Sequence, residues 1–282
     1  MSVEDICKIG ESDWRVVGVD PAPKKSSTIC FYDGESLGFA ALKAHKLLKL
    51  MKDLKSKEDV LITWDAPLTG PPILEHGDEE HAECYFYFRW IEHFLRTNGT
   101  YKPPTGISTL GYAGCPHWAI TKAATGLPIL GPYCASSDDL PFHHVVSEKD
   151  KLCDKKANII EVHPATAIYL GIYSSKEHNE INDWRYKQYR GIQKELFNKL
   201  MSTFFEDLQI KPCVDQIKSD DHLDAFVAWA LGHLYVTQSE NQPVVRIMGN
   251  WKTGSMLLPW DKDLFSGFDA FFESNDVASL IG

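Results

Sequence analysis

The chain has 282 residues, with 29 Lys and Arg against 39 Asp and Glu, a formal net charge of −10, and 44% hydrophobic and 24% charged residues. These proportions belong to a folded globular protein and exclude a disordered or fibrous chain. No run approaches the about 20 apolar residues that span a bilayer, and the excess of acid speaks against a general polyanion-binding surface, which relies on Lys and Arg. The length suits one elaborated α/β domain spanning residues 1–282. Residues 1–14 are acidic and broken by polar side chains, unlike a secretory signal. Seven Cys stand at positions 7, 30, 84, 115, 134, 153 and 213 with no CxxC pair. That pattern fits the reduced thiols of a cytoplasmic protein better than a disulfide or zinc framework.

In chain order, residues 14–20 form a β-branched run ended by Pro21 and Pro23, and residues 27–32 a second strand before the turn signal Asp33-Gly34. A short third strand is expected at 36–40. An amphipathic helix follows over 42–54, carried by Leu47, Leu48, Leu50, Met51 and Leu54. Residues 60–65 are a buried-type strand stopped by Ala66-Pro67. The 85 residues from Leu68 to Leu152 change character, being rich in Gly, Pro and aromatics. They read as a large, mostly helical insertion or cap, with helices expected at 79–96 and 117–125. Regular structure returns with a strand at 158–162 and a short helix opening on Pro164, a favoured first-turn position for proline. A long helix is expected over 184–208 and another from Ser219 to about Val236. The tail holds a strand-like 244–248 and the segment 254–259.

The carboxylates that end apolar strands carry the functional signal. Asp20 closes the first strand, Asp65 the strand at 60–64, and Glu161 sits late in 158–162. Strand ends of a mostly parallel or mixed sheet converge on one edge, where open α/β sheets bind ligands. Taken singly, each acid also suits a turn or the cap of a following helix. The helix at 219–236 adds further acids. Ser219 is a good N-cap, and Asp220 and Asp221 suit the first turn. Asp224 lies beside the apolar stripe Leu223, Phe226, Val227, Ala230, where an acid is costly unless paired or bound to metal. Asp221 and Asp224, three residues apart, can face one ligand. Gathered carboxylates raise one another's pKa unless a cation keeps them ionised. With only oxygen donors on offer, the expected ion is Mg²⁺ or Mn²⁺. Four or five carboxylates suffice for two ions, which activate water and stabilise the leaving oxygen in phosphodiester cleavage.

These pieces together resemble the RNase H-like superfamily. They are most similar to its family of predicted RNase H-like nucleases, through Val-Gly-Val-Asp20, Ile-Thr-Trp-Asp65-Ala-Pro-Leu, Glu161-Val-His-Pro, Asp220-Asp-His-Leu-Asp224-Ala and Gly254-Ser-Met-Leu-Leu-Pro259. The spacing of Asp221 and Asp224 is also similar to that in RuvC-type Holliday-junction resolvases. The resemblance implies a mixed five-stranded sheet flanked by helices, with the acids on one side. It implies a metal-dependent nuclease acting on DNA or RNA, with Asp20 as bridging ligand, Asp65 a ligand to one ion, Asp221 or Asp224 ligands to the other, and Glu161 a further catalytic acid.

Other features invite competing uses. His143-His144 and Cys115-Pro-His117 suggest a metal but lack a second ligand pair, so loop residues are the simpler account. His163 and His222 lie beside the acids and suit either proton transfer or a helix first turn. Arg185, Lys187, Arg190 and Lys194, interleaved with Tyr186 and Tyr189, form the best local phosphate-binding face, although a solvated helix face is the simpler account. The aromatic run from Tyr85 to Trp90 suits the packing of the insertion. Two alternatives stand beside the nuclease. A phosphotransferase of the actin-like ATPase fold also opens on strand-Gly-x-Asp, but needs glycine-rich phosphate turns that are absent from this sequence. A non-catalytic nucleic-acid-binding module would be favoured by a structure in which the five carboxylates do not converge, or in which a Lys or Arg occupies the metal position.

Overall fold

The computed structural model describes residues 1–9, 12–69, 89–97, 116–126, 140–173, 191–251 and 253–274. Strands β1 (Arg15–Asp20), β2 (Ser27–Tyr32) and β3 (Leu37–Leu42) form an antiparallel meander. Helix α1 (Ala44–Leu54) then crosses back, burying Leu47, Leu50, Met51 and Leu54 at helical spacing, and delivers β4 (Val60–Trp64) parallel to β1. Helices α2 (Trp90–Thr97) and α3 (Pro116–Thr125) follow. After them come the two-residue β5 (His143–His144) and β6 (Asn158–Glu161), parallel to each other, with β6 parallel to β4. The strand order is β3-β2-β1-β4-β6-β5. Helices α4 (Pro164–Tyr173), α5 (Ile192–Met201) and α6 (Asp220–Thr237) precede an antiparallel hairpin of β7 (Val245–Asn250) and β8 (Gly254–Pro259). Helix α7 (Lys262–Ser274) ends the described chain.

The mixed sheet flanked by helices agrees with the expected class, but it has six strands rather than five. The extra strand, β5, is two residues long and lies inside the stretch read as the insertion; so short a segment has no alternation to read. Within 68–152 the described residues hold the elements α2, α3 and β5. The expected helix at 79–96 is described only from Trp90 onward, and the one at 184–208 appears as α5. Helix α7 was not foreseen, although Asp261 caps it by accepting the Leu264 N–H at 2.8 Å and Leu264, Phe265 and Phe268 repeat at helical spacing. Among the described residues no helix is long and apolar enough to cross a membrane. Cys7, Cys30, Cys153 and Cys213 are free.

Strand alternation sorts the core into two faces. Val17, Val19, Ile62, Trp64 and Ile159 pack with α1 and α3, and the Trp64 indole donates to Thr121 Oγ1 at 3.0 Å. Val16, Leu61, Ile160 and Val162 face α4, α5 and α6 instead. Between these faces, Gly18 sets how closely α6 can lie on the sheet. A Cβ at Gly18 would stand 2.3 Å from the Ala225 carbonyl oxygen and 2.4 Å from the Trp229 nitrogen, both backbone. A Cβ at Gly232 would meet Thr63 Cγ2 at 2.6 Å and Val16 Cγ1 at 2.9 Å. The Thr63 hydroxyl donates across the gap to Ala228 O at 2.7 Å.

Two predictions follow from this packing. Gly18→Ala has no flexible neighbour to push aside, so it costs about 3 kcal/mol or more in urea unfolding; a loss under 1 kcal/mol would contradict the close approach. His144 is sealed in the core, its Nε2 without a hydrogen-bond partner, and burial, aided by His143 and Lys156, lowers its pKa from 6.5 to about 3. The unfolded chain therefore takes up a proton near pH 6.5 that the folded chain refuses until about pH 3, and stability falls as pH drops between them. Moving from pH 7 to pH 5 costs the wild type about 2 kcal/mol more than His144→Leu, read as the difference in unfolding free energy.

Candidate functional site

The same alternation that builds the core decides which acids meet. Residues 16, 18 and 20 of β1 point to the α6 face, so Asp20 projects there from the end of the strand. Asp65 continues the ladder beside it, its N–H donating to Val19 O at 2.9 Å, and it follows Thr63, which faces α6. Helix α6 runs antiparallel to β1, with Gly232 over Val16 and Ala225 and Trp229 over Gly18. Two strand residues advance about 7 Å, or four to five residues along a helix. The first turns of α6, carrying Asp221 and Asp224, therefore lie at the level of Asp20. Ser219 starts the helix at this point, its hydroxyl accepting the His222 N–H at 3.3 Å. Asp20, Asp65 and Asp221 are half-buried, and Asp224 is only 1% exposed. These four carboxylates share one corner of one sheet face.

Glu161 does not join them. It sits in register beside Trp64, whose side chain belongs to the opposite face. There its carboxylate is gripped from two sides. Arg89 donates to Oε2 from Nη1 at 2.8 Å and to Oε1 from Nη2, and the Leu68 N–H donates to Oε2 at 2.6 Å. Arg89, itself 1% exposed, also donates to Glu92 and, at 2.6 Å, to the Thr69 carbonyl. Burial pushes the Glu161 carboxyl above the usual range, against the pull of Arg89 and the Leu68 N–H. Burial alone would lower the Arg89 pKa, but the charges of Glu161 and Glu92 outweigh it and hold the guanidinium firmly protonated. The cluster fastens the chain leaving β4, the start of α2 and the end of β6 to one another, and Thr69 is tied to β8 through Ser255. Glu161, expected among the catalytic acids, is thus the centre of a structural clasp.

A cation already stands in the acid corner. The Lys25 ammonium, on the loop from β1 to β2, donates to Asp221 Oδ1. Partial burial lowers its pKa, but the hydrogen bond and charge of Asp221, with the charges of Asp20 and Asp220, prevail and raise it. Among the described residues, no three His, Cys, Asp or Glu side chains close into a set that would hold a metal ion. The donors at the corner are all hard oxygens, and Lys25 is a positive charge bonded to Asp221 and close to Asp20 and Asp220.

The histidines fill local roles. His163 Nδ1 accepts the Thr166 N–H at 3.2 Å and meets its hydroxyl at 2.8 Å, closing the start of α4. His222 Nδ1 meets Ser219 Oγ at 2.8 Å while its ring packs on Phe39. His143 bonds the Lys151 carbonyl through Nε2, and His144, expected in a loop, is buried on β5. Cys115 and the His117 side chain lie outside the described residues, as do Arg185, Lys187 and Arg190. Lys194 is paired with Asp215 at 2.7 Å. A separate cleft of about 870 Å³ opens between residues 146–150, β7 and α7. Its Arg246 is committed to Glu148 and the face of Trp260, while Asp269 and Glu273 leave the cleft acidic.

Sequence reasoning passed over Lys25, Arg89 and Glu92. Lys25 carries a faint signal, as half of a basic pair in the loop that follows the strand ending in Asp20. Arg89 was hidden in an aromatic run. The sequence matches no family model, no curated protein and no solved structure.

If Glu161 is held by a clasp, Arg89→Ala strands two buried carboxylates and lowers stability by about 3–5 kcal/mol in urea unfolding. Glu161→Gln removes one charge from a cluster of net charge −1 and costs less. Equal losses from the two variants would contradict the arrangement.

Proposed function

We propose that the chain is a divalent-cation-dependent phosphodiesterase of the RNase H-like type, cleaving DNA or RNA. What supports this reading is that strand parity and the seating of α6 on β1 bring Asp20, Asp65, Asp221 and Asp224 toward one end of the α6 face. Among the described residues no three His, Cys, Asp or Glu side chains close into a metal-holding set, so a bound ion would have to draw these acids together. The mixed sheet of antiparallel and parallel strands flanked by helices supports the same conclusion, because the sequence resemblance implies a mixed, helix-flanked sheet, although of five strands and not six.

Asp20, between its strand neighbour Asp65 and the first turns of α6, would be the ligand shared between two ions. Asp65 would serve one ion, and Asp221 and Asp224 the other. Asp224 is nearly sealed from solvent on a helix seated rigidly on β1, which fixes its carboxylate, whereas Asp221 stands at the more open side where a phosphodiester enters. Bound Mg²⁺ or Mn²⁺ would supply an activated water and stabilisation of the leaving oxygen. None of the nearby histidines is needed as nucleophile; His163 and His222 hold helix starts. Lys25 among the acids favours a second function, a nucleic-acid-binding module without turnover.

Incubation with single-stranded, duplex, hybrid and branched nucleic acids in Mg²⁺ or Mn²⁺ separates the two. A phosphodiesterase cleaves at least one substrate, loses cleavage with EDTA, and loses at least about 100-fold in Asp20→Asn or Asp224→Asn, the scale expected when a group central to transition-state stabilisation is removed. Binding without cleavage in either metal supports the module. Cleavage that survives Asp20→Asn unchanged rules out the acid corner as the site.

A further inference from the structure

We propose that two copies of this chain pair through the free edge of β3, antiparallel, to form a homodimer. The six-stranded sheet ends on β5 at one side and on β3 at the other. β5 is only two residues long and gives a partner strand little to pair with. β3 is matched to β2 along its whole length, without a bulge. Its sequence, Leu-Gly-Phe-Ala-Ala-Leu, holds no charged residue and no proline, the devices that usually blunt a sheet edge. Backbone direction alternates along such a strand. The Asp33 N–H donates to Ser36 O across the turn between β2 and β3, so Ser36, Gly38, Ala40 and Leu42 point their backbone groups toward β2. Leu37, Phe39 and Ala41 point theirs outward. The Leu37 carbonyl is covered, accepting a Gln216 side-chain N–H at 2.9 Å from the loop before α6. Phe39 and Ala41 form the open stretch of the edge among the described residues, and Ala41 is exposed.

A second copy is the occupant this edge fits. With the two-fold axis at Ala40, Phe39 of each copy stands opposite Ala41 of the other. Directly opposed residues of this kind exchange both of their hydrogen bonds. The outward N–H and C=O of Phe39 and Ala41 are then paired in both copies, and each bond between Leu37 and Gln216 stays intact. Side chains agree with the same register. On the α6 face the half-buried Phe39 ring meets the small, exposed side chain of the partner's Ala41. On the α1 face Ala40 meets its own copy at the axis, where opposed residues approach most closely and a small side chain fits. The charges at the two ends of β3 are complementary. The turn entering it carries the exposed Asp33 and Glu35, and the chain leaving it carries the exposed Lys43 and Lys46. Antiparallel pairing lays the acidic end of one strand beside the basic end of the other. Glu35 falls diagonal to the partner's Lys43, at about 7–8 Å between their backbones and within reach of a lysine stem. The two-fold axis makes that contact twice. A foreign strand of uniform charge would match one end and oppose the other, whereas a second copy matches both.

Sedimentation of the full-length chain in low salt, over about 1–200 μM, reads the association directly; an edge contact smaller than a standard interface dimerises in this micromolar range. Ala41→Lys puts a charge on the open stretch, and Ala41→Pro removes an outward N–H while sparing the ladder to β2. Each weakens dimerisation at least about tenfold. Circular dichroism and urea unfolding show whether these variants stay folded. Should either fail to fold, the exposed charge reversals carry the test. Glu35→Lys and Lys43→Glu each weaken association about three- to tenfold, and combining the two restores it, because the pair is then reversed but again complementary. Lys262→Glu, the same change of charge on α7, leaves association unchanged. A chain that stays monomeric to the top of the concentration range overturns the proposal. So does a dimer indifferent to Ala41→Lys and to the single reversals, since it would pair through another surface. Loss in both single reversals with no recovery in the combined variant overturns the antiparallel pairing about Ala40.

Discussion

The close approach of α6 to β1 at Gly18 is the constraint on which the rest of the structure depends. A helix normally lies about 10 Å from a sheet, cushioned by side chains. Here a residue without a side chain lets backbone meet side-chain space, and a Cβ would intrude to within 2.4 Å of two backbone atoms. The neighbouring Gly232 and the Thr63 hydroxyl fix the same contact further along the helix. Once α6 is seated this deeply, its direction and register relative to β1 are determined. The acids of its first turns then have one place to be, beside the end of the strand that carries Asp20. Position at the corner is a consequence of packing at the centre.

Strand alternation supplies the second step. Every other residue of β1 and β4 faces α6, and Asp20 and Asp65 fall on that parity. Glu161 falls on the other, alongside Trp64. One residue of offset is enough to separate a carboxylate from a cluster that it adjoins in the sheet. On its own face Glu161 meets a buried arginine and serves to tie together β4, α2 and β6. A buried ion cluster of this sort adds little net stability over apolar packing, but it forbids other arrangements of the chain ends it joins. It also joins Arg89 to the Thr69 carbonyl, 20 residues away in the chain, by a bond of 2.6 Å.

Much of this was legible in the sequence because it rests on periodicity. The meander, α1, β4, β6, α6 and the last hairpin all follow from β-branched runs, helical spacing, turn signals and the Ser219 cap. Asp20, Asp65 and Asp224 stood out because each ends or interrupts an apolar element, and Asp221 because it lies three residues before Asp224 on the same helix. Glu161 was misplaced because it was judged as the end of a strand, while its function depends on which face it occupies and on a partner 72 residues away in the chain. Arg89 could not be found from spacing, since nothing local marks an arginine that will be buried. Lys25 was overlooked for the opposite reason, being an ordinary surface lysine until the fold lays α6 over its loop. β5 was lost to brevity. Helix α7 had both a cap and a periodic apolar face, and could have been found.

Net charge proved to be the least informative number, and the fold explains why. A value of −10 describes the field far from the molecule, where screening at physiological salt reduces it within about 8 Å. Chemistry is decided at shorter range. Two groups of carboxylates face inward here, and each is supplied with a cation by the fold: Arg89 for Glu161 and Glu92, Lys25 for Asp221 with Asp20 and Asp220. The two differ in what the cation can do. Arg89 is sealed, bonded through every arm of its guanidinium, and removing it leaves buried charge with no route to water. Lys25 is exposed, bonded through a single donor, and can be exchanged. The buried pair therefore holds structure, whereas the exposed pair can open to water at little cost.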